Sequence, residues 1–241
     1  MGIFDIFSSK PSLNAINNQV AKAKEGYAQS DYRKTAMEKL LKWNTKESLS
    51  GLLERFSVVV QSLHWDQEEK KWLVEEIINN KNEMKDVVID FILKKNEITQ
   101  CLIAIRKILD NDKEYIELLK KALSLRIPSD YRSVQSKKEL INELAQFIAT
   151  EDLSDLILPY LHDHSDDVQC VAIDFLIKSN NKENNKALIE VLGSETHSSR
   201  VLRNLATLIS AKEIEVSDNT KLASVLKEEF SVKNNKLVRN E

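Results

Sequence analysis

Glycine and proline are scarce in this chain, four and three of 241 residues, against a usual share of roughly one residue in eight. Few of the tight turns that join β-strands can be built from so little of either. The expectation is helices joined by Asn, Asp, Ser and Lys. Cysteine is scarcer still. Cys101 and Cys170 lie far apart, in neither a CxxC pair nor a disulfide framework, and read as reduced structural thiols. No run of 18 apolar residues occurs, and Met1-Gly2-Ile3-Phe4-Asp5-Ile6-Phe7 lacks the basic flank and long apolar stretch of a secretory signal. We therefore expect a cytoplasmic protein. An excess of either charge is missing too: 35 Lys and Arg stand against 38 Asp and Glu, net −3, whereas domains that live on phosphate backbones are strongly basic. Finally, no G-x-S-x-G, Gly-rich phosphate loop or H-E-x-x-H is present. We expect no enzyme, no cofactor and no metal.

The chain does carry 42% apolar and 30% charged residues, a mixture that folds rather than remaining disordered. From Leu13 to about Phe230 the apolar residues recur in steps of three and four, broken every 10 to 20 positions by polar punctuation. That is the pattern of many consecutive amphipathic helices. One holds Tyr32, Ala36, Leu40 and Leu41, with Ser30 and Asp31 placed to cap its start and Asn44 at its end. The next is predicted to run from Thr45 through Leu49, Leu52, Leu53, Phe56, Val59 and Val60 to Leu63. Val58-Val59-Val60 and Leu156-Ile157-Leu158 are apolar most of the way round, as in helices covered on several sides.

An internal repeat is visible in the C-terminal third. Val168, Ala172 and Leu176 match Val201, Leu205 and Ile209, and the preceding segments match as Leu158 and Leu161 against Ile189 and Leu192. A helix pair recurring in this way points to a stacked array, because one pair cannot bury both of its apolar faces alone. We expect residues 1–11 as an N-terminal apolar segment, 12–230 as the helical array and 231–241 as a flexible polar tail.

The run from Leu158 through Pro159, Tyr160, Leu161, His162, Asp163, His164, Ser165, Asp166, Asp167, Val168, Gln169, Cys170 and Val171 to Ala172 resembles the HEAT, or PBS-lyase-type HEAT-like, repeat. In that repeat a first helix ends in leucines, an Asp-rich turn follows, and a Val-Arg-x-x-Ala helix comes next; Gln169 stands where Arg is usual. Nearly the whole chain is similar to a family of uncharacterised bacterial HEAT-repeat proteins of similar length. The similarity lies in the Met1-Gly2-Ile3-Phe4-Asp5 start, Leu53-Glu54-Arg55-Phe56, Asp66 with Glu69-Lys70-Lys71-Trp72, and Asp130-Tyr131 followed by Lys138 and Leu140. The resemblance implies an all-α fold, a right-handed α-α superhelix, and brings no assigned activity with it.

Four constellations bear on function. His162, His164 and His197 with Asp163, Asp166 and Asp167 have metal-ligating chemistry, but a solvated turn with capping aspartates accounts for them better. Trp65 and Trp72 stand seven apart, two helical turns and nearly one face; Trp65 is a candidate partner anchor, while Trp72 is expected in the core. Glu68-Glu69 and Glu75-Glu76 are adjacent pairs that do not face one another, and read as solvated faces. The apolar Met1 to Phe7 segment suits a membrane tether through residues 1–7 or a cap on the first helix pair, and the cap is favoured.

The leading expectation is a scaffold or adaptor that binds a protein or peptide partner through its concave surface. That surface would be formed by helices starting near Thr45, Glu97, Asp167 and Ser199, with Arg200 and Arg203 facing an acidic partner. A second class is a HEAT-fold alkylpurine DNA glycosylase or another nucleic-acid-binding solenoid, similar in size and helical content. It calls for a basic face interleaved with aromatics, which the chain lacks. The PBS-lyase relatives act on bilin chromophores, but no residue here marks a bilin site, and a shared repeat does not transfer an activity.

Overall fold

The computed structural model describes residues 10–240. Residues 1–9, and with them the expected apolar cap or tether, lie outside the described residues. The protein is all-α: the described residues form twelve α-helices, joined in places by short 3-10 turns, in order α1 (Leu13–Ala23), α2 (Ser30–Trp43), α3 (Lys46–Leu53), α4 (Leu63–Asn79), α5 (Lys81–Lys94), α6 (Thr99–Ile108), α7 (Asp112–Ser124), α8 (Val134–Leu144), α9 (Ser154–Ile157), α10 (Asp166–Lys178), α11 (Asn184–Leu192) and α12 (Ser199–Ala211). A hairpin of β1 (Phe230–Lys233) and β2 (Lys236–Arg239) closes the chain. Among the described residues no helix is long and apolar enough to cross a membrane. The chain divides within α7 into two compact units, one ending at Tyr115 and one beginning at Ile116.

In the first unit, α1 packs on α2 and α3, α3 on α5, and α4 on α5 and α6. Gly51 permits the close approach of α1 to α3, since a Cβ there would lie 2.5 Å from a methyl of Val20. Asn44 ends α2 in the left-handed conformation (φ 49°), and Thr45 starts α3 with a reciprocal box in which Thr45 and Ser48 each cap the other's backbone N–H. Two expectations need correction. The helix from Thr45 does not reach Leu63: it stops at Leu53, a 3-10 turn covers Glu54–Ser57, and Val58 to Ser62 form an irregular connection. Val60 is buried there while Val59 is exposed. The N-cap of α2 is Gln29 rather than Ser30 or Asp31, because the Ser30 hydroxyl is engaged elsewhere, donating to Glu69 at 2.7 Å.

In the second unit, α8 packs on α10 and α10 on α12, while the 3-10 turn Leu158–His162 and α11 support α10 and α12 from the other side. The repeat expected at Val168, Ala172 and Leu176 and at Val201, Leu205 and Ile209 is the buried face of α10 and of α12. A third copy precedes it: Ser136, Leu140 and Leu144 on α8 hold the equivalent buried positions. The third copy escapes the apolar pattern because its first position is a serine, which accepts a hydrogen bond from Arg126 and donates to the Ser133 carbonyl. The expected flexible tail at 231–241 is instead ordered through Asn240. Phe230 pairs with Arg239 and Val232 with Leu237 in the hairpin, Phe230 and Leu237 are buried, and β2 lies on α12. The turn uses Asn234 and Asn235, both at positive φ, as type I′ hairpins require.

Candidate functional site

In the first unit, α2 carries a cation in phase with its apolar stripe: Arg33, Ala36, Met37 and Leu40 sit at i, i+3, i+4 and i+7, all buried. A guanidinium placed there must find its partners inside. Arg33 meets Glu69 of α4 through Nη2 at 2.6 Å and Nε at 3.1 and 3.0 Å, and its Nη1 donates to the carbonyls of Glu25 (3.3 Å) and Ala28. Arg55, fully buried in the 3-10 turn, donates to Glu69 Oε2, which it shares with Arg33 Nε, at 2.9 and 3.0 Å, to Asp66 at 2.8 Å and to the Val58 carbonyl at 3.1 Å. Lys70 closes the set on Asp66 at 2.8 Å.

Burial acts to raise the pKa of Glu69, but hydrogen bonds from Arg33, Ser30 and Arg55 outweigh it and hold the carboxyl below its ordinary 4.5. For Asp66, burial is likewise opposed and overcome by Lys70, Arg55 and the Val60 N–H, leaving the group below its ordinary 3.8. The expectation that Glu69 belongs to a solvated face is therefore overturned. The network ties the connections before α2 and before α4 to the helices, and the Gln61 N–H donates directly to the Gly26 carbonyl at 3.2 Å.

On the outer face of α4 this anchored floor supports a cleft of about 320 Å³ lined by Ser30, Lys34, Trp65, Glu68, Lys71, Trp72 and Glu75, with Glu69 beneath. Trp65 is 49% exposed. Its backbone N–H donates to the hydroxyl of Ser62, the N-cap of α4, at 3.5 Å, and its ring centre lies 5.0 Å from that of His64. Trp72, expected in the core, is instead half-buried on the rim of the cleft, with the Lys34 ammonium 5.7 Å from its ring centre. The core of α4 is filled by Leu73, Val74 and Ile77.

Arg200 and Arg203 stand on the exposed side of α12 in the second unit. Both are engaged: Arg200 with Asp167 at 2.7 Å and Arg203 with Glu229 at 2.7 Å. Asp167 also takes Lys138 at 3.1 Å. An ion-pair ladder thus crosses α8, α10 and α12, with Asp167 and Arg200 at equivalent repeat positions. Hydrogen bonds from Arg200 and Lys138 keep the Asp167 carboxyl below its ordinary range. Gln169, two residues on from Asp167, donates its side-chain amide to the Asp163 carbonyl at 2.5 Å.

The histidines line an open depression with Asp166, Gln169 and Ser198, but they serve the turns. His197 bridges Ser194 (2.9 Å) and the Leu161 carbonyl (3.1 Å), and His164 reaches the Pro128 carbonyl at 3.1 Å. Asp163, expected as a cap, accepts from the Ser165 N–H at 2.9 Å and also pairs with the buried Lys137. Among the described residues no group of three or more His, Cys, Asp or Glu side chains is placed to hold a metal. Burial pushes both thiols up, Cys101 most strongly, so neither has thiolate character.

These features define an all-α protein of packed helix pairs with an aromatic cleft in one unit and a charged ladder in the other. No family model, curated protein or solved structure matches the chain.

Proposed function

We propose that this chain is a HEAT-like helical-repeat scaffold that binds a protein partner and has no catalysis of its own, acting in the cytoplasm. The observation that carries the reading is the threefold recurrence of α8, α10 and α12. Three alternate helices bury equivalent positions, pack side by side and are stitched by Lys138, Asp167 and Arg200 across the repeats. Stacked pairs of this kind present a continuous row of helices to solvent, a surface suited to an extended partner. The finer reading of the fold, a right-handed superhelix, and the kinship with the bacterial HEAT-repeat family belong to the same proposal.

On this reading Arg200 and Arg203 exchange Asp167 and Glu229 for carboxylates of the partner. Affinity capture from the native host, run with the full chain and with an Arg200→Glu/Arg203→Glu variant, tests it. A partner retained by the first and depleted several-fold with the second supports both the scaffold and the residues. Equal capture removes the two arginines from the surface, and no protein above the bare-resin background overturns the scaffold.

A further inference from the structure

The repeat helices of the second unit differ in what covers them. α10 packs on both α8 and α12, whereas α12 packs on α10 and α11 and no α-helix follows it among the described residues. The 3-10 turn Ser224–Leu226 and β2 pack on α12 instead. Even so, α12 buries a wide face: Leu202 and Ala206 are buried beside Val201, Leu205 and Ile209, in step with Gln169 and Ile173 on α10. The cover beyond the helices comes from an arm, residues 212–240. Its Val216, Leu222, Ala223, Leu226, Phe230 and Leu237 are buried. Its Lys221, Lys227, Glu228, Lys233, Lys236 and Arg239 are exposed. Among the described residues, no large apolar side chain beyond Tyr131 is exposed.

The arm is fastened to the last helix pair along its length. The Ala223 N–H donates to the Leu192 carbonyl at 2.8 Å, and Ser224 donates to Glu195 through its N–H at 2.9 Å and its hydroxyl at 2.6 Å. Arg203 of α12 reaches Glu229 at 2.7 Å. Gly193 makes room for the crossing, since a Cβ there would lie 2.9 Å from the Lys221 carbonyl oxygen. The arm also folds back on itself: the Asn235 N–H donates to Asp218 at 2.9 Å and the Val216 N–H to the Asn235 carbonyl at 2.9 Å.

We propose that this arm caps the array: it takes the place of a next helix pair on α12 and so keeps a second copy of the chain from stacking there. The proposal rests on the stacked-array reading above. A helix pair of such an array cannot bury both of its apolar faces alone, so the face turned away from its neighbour needs cover. An apolar face of this width left in water drives association. The repeat names the occupant. α8, α10 and α12 pack on one another in order, so an uncovered α12 finds its counterpart in the α12 of another copy, a self-complementary pairing that closes as a dimer. The arm meets both needs of a cap, apolar toward the helices and polar toward water. Its two strands are only four residues long, and so short an edge offers little to a pairing strand.

The test releases the arm within the full chain. Leu226→Asp/Leu237→Asp places carboxylates in the two parts of the arm that pack on α12, and Gly193→Val displaces it more gently, through the Lys221 carbonyl. Limited trypsin digestion reads the release, and sedimentation velocity over a wide range of concentration reads the association. Cleavage at Lys221, Lys227 and Lys233 should be tenfold faster or more in the double variant than in the parent. Its sedimentation should shift toward twice the parent's mass as concentration rises, with Gly193→Val between the two, while α8 and α10 keep their protection from hydrogen exchange. The cap is overturned if the arm is released and the sedimentation stays that of the parent, or if the arm keeps its resistance to trypsin in both variants. It is also overturned if α8 and α10 lose protection together with the arm, which would then belong to one cooperative core. Growth beyond a dimer overturns the pairing of α12 with α12. Partner capture separates the two levels. A host protein retained by the parent, beside variants that do not associate, keeps the scaffold and sinks the cap, whereas failure of all capture beside a variant that dimerises sinks the scaffold and keeps the cap.

Discussion

Each unit buries a cation at the fourth residue of a helix, Arg33 on α2 and Lys137 on α8. Each cation heads the same apolar spacing, Ala36, Met37 and Leu40 in one case and Leu140, Ile141 and Leu144 in the other. Each reaches back to carbonyls of the connection before its helix: Glu25 and Ala28 for Arg33, and Pro128 (3.2 Å), Asp130 (3.1 Å) and Ile127 (3.5 Å) for Lys137. Each takes a carboxylate from later in the chain, Glu69 or Asp163. The difference lies in what surrounds the pair. Asp163 serves one cation and two local donors, whereas Glu69 serves two guanidiniums and a serine, and Asp66 and Lys70 extend the set. A planar guanidinium can share a carboxylate edge with another, while an ammonium makes a compact point contact. The same device therefore closes a loop in the second unit and binds four segments together in the first.

If that contrast is right, Glu69→Gln has the largest effect. It leaves two buried guanidiniums short of a counter-charge, a loss of roughly 3–5 kcal/mol. Hydrogen exchange should rise across α2 and α4 while α8 and α10 keep their protection; a uniform rise would break the comparison. The acid limb of stability follows the same group. The pKa values of Glu69 and Asp66 are depressed in the fold, so their stabilisation is full above the ordinary carboxylate values and is lost as pH falls through the lowered ones. Melting of the parent should therefore fall more steeply below about pH 4.5 than melting of Glu69→Gln, and parallel curves would refute the assignment.

Lys137→Met comes next, at about 3 kcal/mol, because Asp163 is left charged and buried with the Ser165 N–H and His164 alone. Removing both charges in Lys137→Met/Asp163→Leu should recover part of that loss, since no unpaired charge stays buried, while the Ser165 N–H and the Pro128 and Asp130 carbonyls lose their side-chain partners. No double substitution rescues Glu69→Gln in the same way, because its charges are shared among more than two partners. Urea midpoints at constant slope measure both; equal rescue in the two units would show that the extra members of the first network add nothing.

Much of the helical architecture was legible in the sequence, and so was the repeat of α10 and α12, because apolar spacing reports burial directly. Thr45 and Asn44 were legible as cap and stop from their side-chain chemistry. Glu69 was not, since adjacent carboxylates on a helix read as solvent-facing unless the partners are known, and Arg33 and Arg55 lie 36 and 14 residues away. The usable signal was the cation rather than the acid: Arg33 and Lys137 both occupy the apolar phase of their helices, where an unpaired charge cannot stay. Trp72 was misread for the converse reason. Its spacing from Trp65 was noticed, but a large aromatic on a helix was assigned to the core by type, although Leu73, Val74 and Ile77 already supply the buried face of α4. The break at Leu53 was hidden by Val58, Val59 and Val60, whose apolar character continues the pattern after the helix has ended.

The smallest expected effect concerns the ladder in the second unit. Asp167→Ala removes the partner of both Lys138 and Arg200, yet Lys138 is only partly covered and the side chains of Asp167 and Arg200 are 40% and 63% exposed. Exposed pairs are screened by water and salt and lose side-chain entropy when they form. The melting temperature should therefore shift by no more than about 2 °C, and less at high salt. A large shift would mean that the ladder, rather than the buried face of α8, α10 and α12, holds the repeats together. A small one leaves that burial as the cohesive term, as the proposed exchange of Asp167 for a partner's carboxylate at Arg200 requires.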